Sequence, residues 1–433
     1  MNAEAYTAAA SAVPRRARTR TVSGAALVSG ATLVSGVLTY AFHVLAARTL
    51  GPEGYGRIAV LWAVMFLGAV VLYRPIEQTI SRAIADRRER GEEVRTVLVG
   101  AGVVAVGTFL LVLAAAAAAW GLLAGRLFGG DSALAAFLVG GVILYGVAYL
   151  IRGLVGGVCW FGGYAAALVG DSVVRIAVAL PLVVVASRTI AGAAVVAAAA
   201  GGIVVPFAVG RARLLPLLRR DGGGRPFGAR AAFAFAAPAG VVAGADQLLV
   251  NGGPILVAAG GGAHASRAAG IVFAATMLVR VAVYVFTGLA AVLLPNLTKL
   301  YAADAIAFKR AVVRTGGVLL AFGAVLVLVT VSFGPRGMSL LYGSGFSADR
   351  LELGLLGAGV AFYLAASTCS QALLAIDSAR PAAAAWAGSA ALFVALYFVA
   401  SGTPLLRVAI AFACALLCDL LVVAALLGRR TRV

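Results

Sequence analysis

Long apolar runs alternate with short charged segments from one end of the chain to the other. Twelve runs stand out, with cores near residues 24–47, 57–78, 96–120, 132–152, 164–186, 190–210, 231–258, 268–295, 312–334, 351–375, 382–400 and 405–427. A helix of about 18 residues or more at 1.5 Å per residue crosses the hydrocarbon of a bilayer, so each run reads as a membrane-spanning helix. The fold class expected is therefore an all-α integral membrane protein with about 12 transmembrane helices. Composition points the same way: 63% of the 433 residues are hydrophobic, 12% are charged and the mean hydropathy is +1.04. A water-soluble chain of this size needs more charge to cover its surface. The Ala114–Ala119 run and the many glycines suit close packing between membrane helices, as the Gly153/Gly157 pair illustrates.

The net charge of +19 would suggest nucleic acid if a basic soluble domain existed. Here the basic residues sit in short segments between apolar runs, so no nucleic-acid partner is expected, and topology explains them. With the N-terminus placed in the cytoplasm and sides alternating, 24 of the 35 Lys and Arg residues fall on the cytoplasmic side and 8 on the other. Arg74, Arg175 and Arg280 fall inside runs, and Arg152 is counted with an inner segment. The threefold inside excess predicts twelve spans with both termini cytoplasmic. The largest inner segment, with Asp221-Gly222-Gly223-Gly224-Arg225-Pro226, divides the runs six and six. The organisation expected is a cytoplasmic basic tail at 1–21, a six-helix lobe at 22–210, a basic cytoplasmic linker at 211–229, a second six-helix lobe at 230–428 and a cytoplasmic tail at 429–433. Membrane transporters are often built from such halves. The first run is longer than the 7–15-residue core of a signal peptide and reads as an uncleaved span.

Only Lys299 and Lys309 are lysines among the basic residues, and Ala, Gly and Val are abundant. This composition suggests a high-GC bacterial genome, hence a bacterial plasma membrane. Cys159, Cys369, Cys414 and Cys418 form no CxxC motif. Two thiols four residues apart are too few ligands for a metal site, so the cysteines read as small packing residues. No cofactor is expected.

The segment Leu45-Ala46-Ala47-Arg48-Thr49-Leu50-Gly51-Pro52-Glu53-Gly54-Tyr55-Gly56 resembles the first outer turn of Wzx-type polysaccharide flippases, which share a superfamily with MurJ and the MATE exporters. The charged stretch Arg82–Glu92, the segment Asp246-Gln247-Leu248-Leu249-Val250-Asn251 with Ala269-Gly270 and Pro295 after it, and Gln371–Asp377 extend the resemblance. A tight turn between antiparallel helices also needs a breaker and a flexible residue, so Gly51-Pro52 has a local reason as well. The resemblance implies two six-helix lobes around a central cavity and alternating access. It further implies a polyprenyl-pyrophosphate-linked oligosaccharide as cargo, with polysaccharide polymerase and glycosyltransferases as partners beside the lipid bilayer.

An ionisable side chain at mid-bilayer costs about 2.5–3.5 kcal/mol on insertion scales, so it faces a cavity or a partner. Arg175 and Asp171 sit four apart and share a helix face; they read either as a structural ion pair or as part of a binding site. Arg280 has no acid at i±3 or i±4, and Asp246 is a partner candidate at similar depth. An arginine fork suits phosphate oxygens. Arg74 could pair with Glu77, snorkel to the inner surface, or bind a headgroup. Gln247 and Asn251 face one way, and Gly253-Pro254 is expected to break or kink the seventh helix, as cavity-lining helices often do. The substrate-binding candidates are thus Arg280, Arg175, Arg74, Asp246, Gln247 and Asn251. Asp171 and His43 are weaker candidates for coupling to Na+ or H+.

Two other functions compete with lipid-linked saccharide flipping. A MATE-like cation-coupled multidrug exporter would want an acidic or aromatic cavity, and Asp171, Asp246 and Asp419 keep it open. A polyprenyl-dependent membrane glycosyltransferase or polymerase would want clustered acids in an outer loop, whereas Glu53, Asp131, Asp349 and Glu352 are scattered. No nucleotide or nucleophile motif is present, so the chain is not expected to be an enzyme.

Overall fold

The computed structural model describes residues 15–219, 229–262, 264–281, 283, 305–376 and 378–430. Among them the regular structure is helical, with no strand. The helices are α1 (Arg15–Glu89), α2 (Arg95–Ala118), α3 (Ser132–Gly157), α4 (Phe161–Ala179), α5 (Arg188–Arg219), α6 (Ala229–Gly260), α7 (265–281), α8 (Ala305–Tyr342), α9 (Arg350–Ala375), α10 (Ala379–Val399) and α11 (Pro404–Arg430). A π-helical turn at Leu122–Leu127 and a 3-10 turn at Leu180–Val183 interrupt the connections.

Helix α1 holds two of the expected spans. It is interrupted at Gly51, whose φ of 65° and ψ of 177° are open only to glycine at no cost. His43 and Tyr55 would stand about 18 Å apart along a straight helix. Instead Tyr55 Oη lies 3.2 Å from His43 Nδ1, and the rings of Phe42 and Trp62 stack at 6.4 Å. The chain therefore folds back at Gly51-Pro52 as a helical hairpin. Among the described residues, ten helices are long and apolar enough to cross a membrane. The hairpin gives α1 two crossings; residues 284–304, with Pro295 and Lys299, lie outside the described residues. The protein is a multi-pass membrane protein.

Several helices run past the ends of the apolar runs. Helix α1 begins at Arg15, inside the basic segment, and its second arm continues to Glu89. Helix α3 continues through Arg152 to Gly157, so Arg152 is not in a connecting segment but is buried within a helix. Helix α5 runs on to Arg219 past a distortion at Gly210, into the expected linker; residues 220–228, with the Asp221–Pro226 motif, lie outside the described residues. In each case charged residues at the end of a run extend the helix beyond the apolar core, because backbone hydrogen bonding does not stop where hydropathy does.

The helices fall into two packed groups. In the first, α1 packs on α3 and α4, and α5 lies against α4 and α3. In the second, α9 packs on α8 and α11, while α10 joins α11 to α6. Gly153 and Gly157 let α3 approach the backbone of α1 at Glu77 and Ser81. The groups meet where α1 crosses α6, and again at the face carrying the Gly51 turn. There Gly56 and Gly270 bring the two backbones together: a Cβ on Gly56 would stand 1.7 Å from the Ser266 carbonyl oxygen, and one on Gly270 would stand 2.1 Å from that of Pro52. The opposite face carries the C-terminal end of α11, with Arg429 and Arg430.

Candidate functional site

Two polar constellations interrupt the apolar interior, one in each helix group. The first is built on α4, where Asp171 and Arg175 share a face one turn apart and form an ion pair. Arg175 is only 2% exposed, and its guanidinium is surrounded. It donates to Thr39 Oγ1 at 2.9 Å and to Tyr145 Oη at 3.2 Å, and lies 4.8 Å from the centre of the Trp62 ring. Tyr145 Oη in turn donates to Asp171 Oδ2 at 3.0 Å. Arg152 reaches the same carboxylate at 3.6 Å while lying over the Tyr149 ring at 4.9 Å. Asp171 thus holds two arginines. A charge left alone at this depth is strongly unfavourable, which explains why every charged group here is paired or stacked.

Toward the face of α11's C-terminal end, Arg74 and Glu77 pair at 4.0 Å, and Tyr164 Oη donates to Glu77 Oε1 at 2.9 Å. Glu77 is buried, whereas the Arg74 side chain is 44% exposed, so its guanidinium is reachable from outside the protein core. Pro75, the next residue, lies against Gly240 of α6, at the junction of the two groups. Together Arg74, Arg152 and Arg175 outnumber Glu77 and Asp171, so this constellation carries net positive charge.

The second constellation is a hydrogen-bonded row. Arg280 on α7 donates to Asn251 Oδ1 at 3.1 Å, and Asn251 Nδ2 donates to Gln247 Oε1 at 2.8 Å. Gln247 Nε2 donates to Asp246 Oδ2 at 3.2 Å, and Tyr363 Oη of α9 donates to Asp246 Oδ1 at 2.7 Å. Asp246 is thus linked to Arg280 through two amides, with no direct ion pair between them. Arg280 also donates to the Val250 carbonyl oxygen. That carbonyl is four residues before Pro254, which has no N–H to offer it. Of the expected break or kink at Gly253-Pro254, the break does not occur: α6 stays helical through Gly260. The arginine supplies the donor that proline removes, and Gly253 packs tightly against Val272 and Val408. A cavity of about 20 Å³ beside Arg280 and Tyr363 has room for a water molecule.

His43 lies between the two constellations. It is fully buried among the rings of Phe42, Trp62, Tyr55 and Phe273, the last from α7. Arg175 from one group lies over the Trp62 ring, and Arg280 from the other lies 6.0 Å from the centre of the Phe273 ring, so each is one ring away from His43. His43 Nε2 has no hydrogen-bond partner among the described residues. Nearby, Arg48 donates to the carbonyl oxygens of Leu340 and Leu341, and Tyr342 Oη donates to Tyr40 Oη at 3.2 Å. The two groups are therefore latched together on the face of the Gly51 turn.

The structure brings Arg175 and Asp171 into one cluster, and Arg280, Asn251, Gln247 and Asp246 into the other; Arg74 extends the first and His43 joins the two. Sequence reasoning missed Arg152, Tyr145 and Tyr149. They fall at i, i+4 and i+7 on α3, a spacing that marks one helix face. Tyr363, a lone tyrosine in the apolar run of α9, gave no comparable signal. The cysteines are free.

The chain matches the family model described as "Polysaccharide biosynthesis protein" over residues 21–301. No curated protein matches it by sequence. Its fold is similar to that of a multidrug resistance MATE family transporter of the MOP superfamily in an inward-facing conformation, with a TM-score of 0.74 at 13% identity, covering 94% of this chain and 98% of that one. It is similar as well to the lipid II flippase MurJ in an inward closed conformation, with a TM-score of 0.70 at 14% identity, covering 93% of this chain and 87% of that one.

Proposed function

The chain belongs to the polysaccharide biosynthesis protein family, and from that premise we propose that it flips a polyprenyl-pyrophosphate-linked oligosaccharide across a bacterial plasma membrane. The observation that carries this reading is that Arg175 stands over the Trp62 ring and Arg280 over the Phe273 ring, one from each helix group, and both rings pack edge-on against the same buried residue, His43. Cationic forks from both sides of the interlobe junction suit a pyrophosphate bound between them, and Arg74 offers a more accessible charge for first capture.

In this reading residues 22–210 and 230–428 form two lobes that rock against each other. The tails at 1–21 and 429–433 and the linker at 211–229 face the cytoplasm. The lipid tail stays in the bilayer while the headgroup passes between the lobes. With the Gly51 face latched, the headgroup site is closed toward the exterior. Asp246, Gln247 and Asn251 hold Arg280 in place and offer hydrogen bonds to sugar hydroxyls. Na+ or H+ coupling would run through Asp171, which pairs with Arg175, or through His43, which packs on the rings that Arg175 and Arg280 face. Partner glycosyltransferases and a polymerase would supply and consume the cargo.

The test is transbilayer movement of a fluorescent polyprenyl-pyrophosphoryl oligosaccharide by protein reconstituted in liposomes. Wild type is expected to move the lipid, and Arg280→Ala, checked for folding by its melting curve, to lose most of that activity. Equal activity in the two would remove Arg280 from the headgroup site. If wild type moves no such lipid while cells lacking the protein retain dyes, the multidrug exporter reading, with Asp246 as its acidic group, replaces this one.

A further inference from the structure

The membrane-facing surface of the second helix group carries an apolar cleft that ends in a cluster of exposed positive charge. Helix α8 is peripheral, with only 17% of its most apolar stretch buried. Lys309, Val313, Gly316 and Leu320 follow one stripe of this helix at i, i+4, i+7 and i+11. With Leu420 and Leu427 of α11 they line part of a cleft of about 390 Å³. Gly316 and Gly317 keep it open: a Cβ on either would meet nothing within 4 Å.

The mouth of the cleft is basic. Lys309 and Val313 also line a shallow depression with Arg310 and Arg314. All three basic side chains are exposed, and none is paired with an acid among the described residues. Arg310 and Arg314 stand at i, i+4, where like charges repel. Such a cluster is stabilised by an anion. Its position fixes where that anion sits. Arg429 and Arg430 end α11 at the same membrane edge, with Leu427 and Gly428 in the cleft wall. From Lys309 to Leu320 the helix rises about 16 Å, the thickness of one leaflet of hydrocarbon.

We propose that this cleft is a binding site for an anionic phospholipid of the adjoining leaflet. Its phosphate would be held by Lys309, Arg310 and Arg314, and one acyl chain would lie along Gly316 and Gly317. The dimensions select this occupant. A cleft one leaflet deep fits an acyl chain, whereas a polyprenyl chain longer than a leaflet would leave most of its length outside. The site lies on the lipid-facing flank of α8, apart from Arg175 and Arg280, and is independent of the cargo assigned above.

The experiment is native mass spectrometry of the purified protein exchanged into micelles with equimolar phosphatidylglycerol and phosphatidylcholine of matched chains. Wild type is expected to retain one phosphatidylglycerol in preference to phosphatidylcholine. Each basic side chain near a phosphate contributes about a fivefold preference, so Lys309→Ala/Arg310→Ala/Arg314→Ala is expected to reduce retention by one to two orders of magnitude. Gly317→Leu keeps every charge and fills the cleft, and is also expected to lose the bound lipid. Because that Cβ meets open space, the variant is expected to keep the wild-type melting temperature. Three results would overturn the proposal. Equal retention of the two phospholipids would show no anion site. Loss in the triple variant but not in Gly317→Leu would show surface attraction without a cleft. Displacement of phosphatidylglycerol by an equimolar polyprenyl phosphate would make the carrier lipid the occupant.

Discussion

Asp171 accepts from Tyr145, pairs with Arg175 on its own helix and pairs with Arg152 from α3. It is the only acid in contact with two buried cations among the described residues, so its removal affects more than one interaction. Replacing one partner of a buried ion pair costs about 3–5 kcal/mol because a desolvated charge is left behind. Asp171→Asn is therefore expected to lower the melting temperature of the purified protein sharply. Adding Arg175→Gln should restore part of the loss, since one of the two orphaned cations is then gone. If the double variant melts no higher than Asp171→Asn, the cluster does not act through charge balance. At this scale the sequence was partly transparent. The i, i+4 spacing of Asp171 and Arg175 announced their pairing. Arg152 was hidden because it sits where an apolar run gives way to a basic segment, and hydropathy cannot distinguish the last turn of a helix from the loop after it.

Among the elements, α6 shows how tertiary contacts override local signals. Gly253-Pro254 in an apolar run is a strong breaker, costing about 3 kcal/mol in a helix interior. The helix survives because Arg280, 26 residues on from Pro254, donates to the carbonyl that proline orphans. No local pattern could announce that arrangement, since it depends on α7 lying beside α6 at one register. The consequence is testable. Pro254→Ala restores an N–H that competes with Arg280 for the Val250 carbonyl. The helix is expected to gain stability, by about 1 kcal/mol or more, less than the full proline penalty since Arg280 already offsets part of it. Arg280 is then held less firmly, and flipping of the lipid-linked oligosaccharide is expected to slow. A variant that melts higher yet transports as well as wild type would separate the proline from the positioning of Arg280. The Gly51 hairpin lies at the other extreme of legibility. Its Gly-Pro pair was visible as a turn, and the backbone there adopts a conformation that only glycine takes without strain.

For the molecule as a whole, the two helix groups must touch and part if the site between them is to serve both sides of the membrane. The sequence led us to expect a six-and-six division of apolar runs, but it gave no sign of the contacts that hold the helix groups together, because they involve glycines that carry no pattern of their own. Gly56 lies against the Ser266 carbonyl and Gly270 against that of Pro52, so a single added methyl at either position has no room. The backbones would have to separate, and with them the Tyr40–Tyr342 hydrogen bond and the Arg48 contacts to Leu340 and Leu341. Gly56→Ala is therefore expected to favour the form that is open on the Gly51 face. Phe346 is 2% exposed beneath this latch and can report on it. In a background where the four native cysteines are replaced, the thiol introduced by Phe346→Cys should react slowly with a membrane-impermeant maleimide. Adding Gly56→Ala should raise that rate several-fold while lowering flipping, since the closed form becomes harder to regain. Unchanged labelling together with unchanged flipping would mean that the groups accommodate the methyl by sliding past each other, and that the Gly56–Ser266 contact is packing without a part in the opening.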